Sequence, residues 1–298
     1  MAISQTVALD AERSLHLIRE GDGLPIVLIH GALATHVDWL EAPLAAFAQR
    51  GLALAVDRPG HGSSARPRYD ATPLAQARQI RAGLTALGVD VAGVRLVGHS
   101  FGGMVAMTWA AAWPEEVRSL LLLSPITRPE FRVTEHLMLG PRALPVFGPV
   151  IAEVARWSLD PVLLKMVQKL MFSPGQPPVD WLERYPAEVV LRPSQMVQEG
   201  EDAATLTPGS LAGLVDIRAI RCPVALVSGM GDKIVEHRQH AALMAAVMPQ
   251  AALTLVEGIG HMPHHQALDQ VLAAFDGLSA QEPASTAPAQ SAERPSPA

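Results

Sequence analysis

Cysteine occurs once in 298 residues, at Cys222, so the chain can close no internal disulfide and build no thiolate metal cluster. Aromatic residues make up only 4%, which leaves aliphatic side chains to fill the core. Charge is sparse at 17%, and 23 Lys and Arg against 29 Asp and Glu give a net charge of −6. With a pI near 6.0, that balance argues against nucleic acid as a partner and against a polybasic membrane anchor. No apolar run reaches the roughly 18 residues that a membrane-spanning helix needs, so no membrane association is expected. The segment Met1-Ala2-Ile3-Ser4-Gln5-Thr6-Val7-Ala8-Leu9-Asp10 has neither the basic nor the apolar region of a secretory signal. The expected address is the cytoplasm, and the expected partner is a small uncharged molecule.

Hydrophobic residues are plentiful, at 49%, and the mean hydropathy is +0.21, as in a well-packed globular protein. The length suits one or two domains of about 150 residues. Unbroken apolar runs recur at Pro25–Ile29, Leu52–Val56, Val94–Val97, Leu120–Leu123 and Val224–Val227, the pattern of strands buried on both faces. Helix-length segments lie between or after them at 38–49, 74–87, 103–112 and 235–248. Strand and helix in alternation predict an α/β fold: a mostly parallel central sheet with helices on both sides, its ligands bound beyond the carboxyl ends of the strands. The alternation stops over residues 126–213, where short helices are expected at 134–139, 149–158, 161–171 and 180–185. The domains read as a core of residues 1–125 and 214–278, an inserted helical cap over 126–213, and a disordered tail over 279–298, where composition shifts to Ala, Pro, Ser, Gln and Glu.

The most informative stretch is Val94-Arg95-Leu96-Val97-Gly98-His99-Ser100-Phe101-Gly102-Gly103, a strand running straight into Gly-x-Ser-x-Gly and then a helix. A serine on so tight a turn needs glycine on both sides, because a Cβ there would strike neighbouring backbone. The turn raises Ser100 above the sheet beside a helix N-terminus, whose unpaired N–H groups favour developing negative charge. Phe101 N–H is the expected first oxyanion donor. The second is expected from Ala32 N–H, on the loop His30-Gly31-Ala32-Leu33 after the first buried strand, with Gly31 letting that backbone turn.

A serine hydroxyl is a weak nucleophile until a base takes its proton and an acid orients the base. Asp232 follows the strand Val224–Val227, and His261 follows the apolar run Leu253–Val256; both fall at strand carboxyl ends. His264 is the alternative base. The run His261-Met262-Pro263-His264-His265 could suggest a metal site if helical, but Gly258, Gly260 and Pro263 break that helix, so no metal is expected. Asp57 and His61, in Asp57-Arg58-Pro59-Gly60-His61-Gly62, read as scaffold that holds a turn by local hydrogen bonds.

Together, the His30-Gly31 loop, the Asp57–Gly62 loop, the Gly98–Gly103 turn, Gly231-Asp232 and Gly260-His261 resemble the α/β-hydrolase superfamily over about residues 12–277. The resemblance implies Ser100 as nucleophile, His261 as base, Asp232 as acid and the Ala32 and Phe101 amides as oxyanion hole, without a cofactor. Serine in place of aspartate weighs against haloalkane dehalogenases and epoxide hydrolases. The expected activity is that of a serine hydrolase on a small, apolar ester, lactone or related acyl compound. A ligand-binding or accessory protein on the same fold, an acyltransferase and a carbon–carbon bond hydrolase remain as alternatives. His30, Phe131, Met138, Met166, Met171, Phe172 and Trp181, with Met196, are expected to line the acyl pocket. The sequence leaves the oligomeric state open.

Overall fold

The computed structural model describes residues 1–131, 133–207 and 210–282. Eight strands form one sheet: β1 (Ile3–Ala8), β2 (Ser14–Glu20), β3 (Pro25–Ile29), β4 (Leu52–Val56), β5 (Val94–His99), β6 (Val117–Leu123), β7 (Val224–Gly229) and β8 (Ala251–Val256). Their spatial order is β1-β2-β4-β3-β5-β6-β7-β8. β1 and β2 pair antiparallel, β2 pairs antiparallel with β4, and every later pairing is parallel.

The core helices are α1 (Ala42–Ala48), α2 (Pro73–Ala86) and α3 (Phe101–Ala112). Between β6 and β7 the described residues add α4 (Val133–Met138), α5 (Phe147–Arg156), α6 (Asp160–Phe172), α7 (Val179–Arg184), α8 (Ala187–Val190) and α9 (Pro193–Thr205), and no strand. The chain then returns to the core with α10 (Ala241–Val247), α11 (Pro263–Gln266) and α12 (Leu268–Ser279). No helix among the described residues is long and apolar enough to cross a membrane.

Alternation of side chains across the strands explains the unbroken apolar runs. Val27 and Ile29 of β3, with Leu52, Leu54 and Val56 of β4, join α2, α3 and α10 in one cluster on one face. Ile26, Leu28, Ala53 and Ala55 join Trp39, Phe47 and Phe275 in a second cluster on the other face, under α1 and α12. β3 and β4 therefore need apolar side chains at every position. α2 starts where Thr72 accepts the Ala75 N–H at 3.1 Å and Pro73 opens the first turn, a capped start that proline fits because the first turn lacks N–H acceptors.

Several expected elements shift. The segment 38–49 is a 3-10 turn, His36–Trp39, followed by α1, with the break at Glu41, whose φ is 63°. The helix expected over 235–248 begins only at Ala241, because the Asp232 carboxylate accepts the Ile234 and Val235 amides at 2.8 and 2.9 Å and holds that stretch in a turn. The β1–β2 hairpin was not expected, since β1 is largely exposed and β2 mixes apolar with polar residues, so neither has the apolar run of the central strands. At the other end, Ser279 closes α12. Glu282 accepts from Arg95 at 2.9 and 3.0 Å and from Ser119 Oγ at 2.8 Å, so ordered core contacts extend to Glu282. Residues 283–298 of the expected tail lie outside the described residues.

Candidate active site

Ser100 sits between β5 and α3 with φ 53° and ψ −118°, a left-handed backbone that costs a non-glycine residue free energy. Its neighbours are fixed by space: a Cβ on Gly98 would lie 2.5 Å from Gly102 O, and one on Gly102 would lie 2.3 Å from Ile29 O. β5 can thus turn into α3 within one residue only because both positions are glycine. Phe101 is the first residue of the 12-residue α3, so its N–H has no partner within the helix and points with the helix dipole toward the turn.

Asp232 and His261 meet across the ends of β7 and β8. His261 Nδ1 donates to Asp232 Oδ2 at 2.7 Å, while Asp232 Oδ1 is occupied by the Ile234 and Val235 amides. Burial opposes ionisation of Asp232, but His261 and these two amides outweigh it and hold its carboxyl below its ordinary pKa. The imidazole is thereby fixed with its other nitrogen free for a different task. His261 is further anchored by its own backbone, whose N–H donates to Met171 O at 2.7 Å and whose carbonyl accepts His99 Nε2 at 2.8 Å. The end of α6 and the middle of the serine turn therefore hold the same loop.

The loop after β3 is arranged differently from the sequence expectation. The left-handed residue is Leu33, φ 51°, and not Gly31. Gly31 is small for packing reasons: a Cβ there would stand 3.0 Å from both Ser100 Cβ and His99 Nδ1. Leu33 is held at both ends by the inserted helices, its N–H donating to Glu199 Oε1 at 2.7 Å and its carbonyl accepting the Tyr185 hydroxyl. Ala32 lies between these two constraints.

His264, the alternative base, is buried away from the serine, with Nε2 on Asp38 Oδ2 at 3.0 Å. Asp38 also accepts from His265 at 3.0 Å and Trp181 at 3.2 Å. Burial, only partly offset by Asp38, pushes the His264 pKa down to about 4. The Asp57–Gly62 loop is scaffold of wider reach than a local turn. Asp57 accepts from Ser63 N at 2.9 Å, His16 at 2.8 Å and the backbone and ring of His36 at 2.7 and 2.9 Å, and so joins β2 to two loops. Arg58, fully buried, donates to Gln76 at 2.9 Å and to Asp202 of α9 at 2.6 Å, and Arg66 reaches Glu201 and Asp202 at 2.8 and 3.1 Å.

The α9 carboxylates Glu199, Glu201 and Asp202 were missed by sequence reasoning. Their one signal was three acids within four residues, Glu199, Glu201 and Asp202. Among the described residues, three groups have ligand atoms close enough to hold a cation, namely His16, His36 and Asp57; Asp38, His99 and His264; and His61, Glu199 and Asp202. Members of each already face one another in short polar contacts.

A cavity of about 440 Å3 opens between the sheet edge and the inserted helices, and it is lined by Ser100, His261, Ala32 and Phe101 together. Of the expected pocket residues, Phe131, Met138, Met171 and Met196 line it. The other four do not. His30 is buried beneath the loop, donating to Gly31 O at 2.8 Å and accepting Arg58 N–H at 3.0 Å. Phe172 and Trp181 pack edge-to-face at 4.8 Å in a cluster with Met262, behind Met171. Met166 faces outward and is 45% exposed, because the cavity takes the α6 face that carries Leu163, Leu164, Val167 and Met171.

The family model described as "Alpha/beta hydrolase family" matches residues 26–274. The chain belongs to the alpha/beta hydrolase family. An uncharacterized protein of Mycobacterium tuberculosis is 31% identical over 264 residues, covering 82% of this chain and 72% of its own. A pimeloyl-[acyl-carrier protein] methyl ester esterase of Chromobacterium violaceum is 36% identical over 112 residues, covering 37% of this chain and 40% of its own. Among solved structures, a bromoperoxidase from Bacillus anthracis superposes with a TM-score of 0.73 at 18% identity, over 93% of this chain and all of that one, a likeness of fold. This alpha/beta hydrolase thus has hydrolases among its relatives, and its sheet is the one the sequence resemblance implies.

Proposed function

We propose that the protein is a serine hydrolase that cleaves a small, largely apolar ester or lactone through an acyl-enzyme. The observation that carries this reading is the convergence on one cavity of Ser100, on its strained turn, and His261, whose Nδ1 is held by Asp232. Ser100 Oγ attacks the substrate carbonyl as His261 Nε2 takes its proton, and the Ala32 and Phe101 amides receive the oxyanion. The tetrahedral adduct collapses, the C–O bond breaks, and the leaving alkoxide takes the proton from His261. Water, deprotonated by the same imidazole, then attacks the acyl-enzyme, and Ser100 regains its hydrogen. Asp232 stays ionised throughout and stabilises the imidazolium. The apolar walls of the cavity, with Met138, Met171, Met196 and Leu164, favour an alkyl acyl chain.

The test is intact-mass analysis after exposure to a fluorophosphonate, together with turnover of short-chain and medium-chain methyl esters. One adduct is expected on the wild type, none on Ser100→Ala and strongly slowed labelling on His261→Ala. Ester turnover should fall about 10^4-fold or more in either variant. Folded wild-type protein that takes no adduct and turns over no ester would overturn the reading.

A further inference from the structure

The wall of the cavity contributed by α9 carries a polar atom that the proposed chemistry does not use and that has no partner among the described residues. Glu199 is 1% exposed, lines the same cavity as Ser100 and His261, and leaves Oε2 without a hydrogen-bond partner among the described residues. Its other oxygen is fully engaged, accepting Leu33 N–H at 2.7 Å and lying 3.2 Å from His61 Nε2.

His61 Nδ1 donates to Pro59 O at 3.1 Å, so in the neutral ring Nε2 carries a lone pair and is an acceptor. Burial and the neighbouring Arg58 push the His61 pKa down to about 3, so the ring is neutral. Nε2 accepts from Arg58 Nη2 at 3.3 Å, so His61 offers Glu199 no donor, and burial, larger than the opposing influence of Arg58, raises the Glu199 pKa. Oε1 is taken by Leu33 N–H, and Oε2 is left as an acceptor at the cavity wall. A buried acceptor left without a donor costs free energy, and on the cavity wall it favours a ligand that supplies one.

We propose that Glu199 Oε2 is the specificity-determining acceptor of a substrate subsite that takes an uncharged hydrogen-bond donor, a hydroxyl on the substrate's carbon chain. The inference rests on the serine-hydrolase reading and narrows its substrate class to hydroxylated esters or lactones. The subsite lies next to the oxyanion loop, because the same carboxyl group holds Leu33, the residue after Ala32.

Binding separates this proposal from the hydrolase reading. Methyl hexanoate bearing a hydroxyl at the second, third or terminal carbon, and the matched methoxy compounds, are titrated calorimetrically into Ser100→Ala protein. At one position the hydroxyl compound should bind about tenfold tighter than its methoxy partner, the effect of about one good hydrogen bond. Adding Glu199→Leu should erase that preference. Adding Glu199→Gln should erase it too, since the amide oxygen stays on Leu33 N–H and the NH2 group turned to the cavity donates to a hydroxyl and an ether oxygen alike. A purely structural role for Glu199 would leave the hydroxyl preference in place, and the Gln variant remains informative should Leu fail to fold. Equal affinities at all three positions, or a hydroxyl preference surviving in both folded Glu199 variants, overturns the subsite. Wild-type turnover of the same esters decides the hydrolase reading separately: donor-selective binding without Ser100-dependent turnover would uphold the subsite and sink the hydrolase.

Discussion

Acidification should destabilise this protein well before its carboxylates are titrated. His30 and His61 are pushed down to about 3 and His264 to about 4 by burial, the first two helped by Arg58. In the unfolded chain each returns to an ordinary value near 6.5. Between about pH 6.5 and the folded value, the unfolded state binds a proton that the folded state refuses, so stability rises with pH across that window and is lost as pH falls. At about pH 5 the loss per histidine is about 2 kcal/mol relative to neutral pH. Three such groups threaten a large share of a typical net stability of about 5–15 kcal/mol. Asp38, Asp57 and Asp232, all held below the ordinary carboxylate range, contribute stability that persists until the pH falls below about 4. Glu199 and Asp160, raised by burial, act in the opposite direction above about pH 4.5 and offset part of the loss. The assay is urea unfolding at about pH 7 and about pH 5, with the midpoint and slope compared. The free energy of unfolding should drop by several kcal/mol, and His264→Gln should shrink the drop by about 2 kcal/mol. Equal midpoints at the two pH values, or a drop untouched by His264→Gln, would refute the picture of buried neutral histidines.

Two other substitutions probe the frame of the site. Ser100→Gly relieves a left-handed φ of 53° and should stabilise the fold by about 1 kcal/mol while abolishing fluorophosphonate labelling; unchanged or lowered thermal stability would contradict strain at that turn. Glu282→Ala leaves Arg95 and Arg118, paired with it at 2.9 and 3.2 Å, without their carboxylate and should cost about 2–4 kcal/mol. A change under about 0.5 kcal/mol in chemical denaturation, the range of ordinary surface substitutions, would mean that the pairing contributes nothing.

Local rules carried the central sheet. Pro25–Ile29 and Leu52–Val56 match observed strands end to end, because a strand buried on both faces must be apolar throughout and glycine, proline or charge must end it. The serine turn was equally readable, since Gly98 and Gly102 are steric requirements of a path only a few residues long. The β1–β2 hairpin was not, because β1 is largely exposed and β2 mixes buried Leu15 and Leu17 with polar residues, which leaves no comparable pattern. The 235–248 helix was read too early because one carboxylate, Asp232, captured two amides that a helix would otherwise have used.

The sequence by itself determined the order of strands and helices, the strained turn at Ser100, and the presence of an aspartate and a histidine at later strand ends. Each of these depends on neighbours close in the chain. Only the tertiary structure decided that His264 turns to Asp38 while His261 turns to Asp232, and that Met171 faces the cavity while Phe172, one residue on, packs against Trp181. It also decided that Glu199 reaches Leu33 across 166 positions of sequence. Such choices depend on which groups long-range packing strips of water, because a buried polar atom must take whatever partner the fold brings to it.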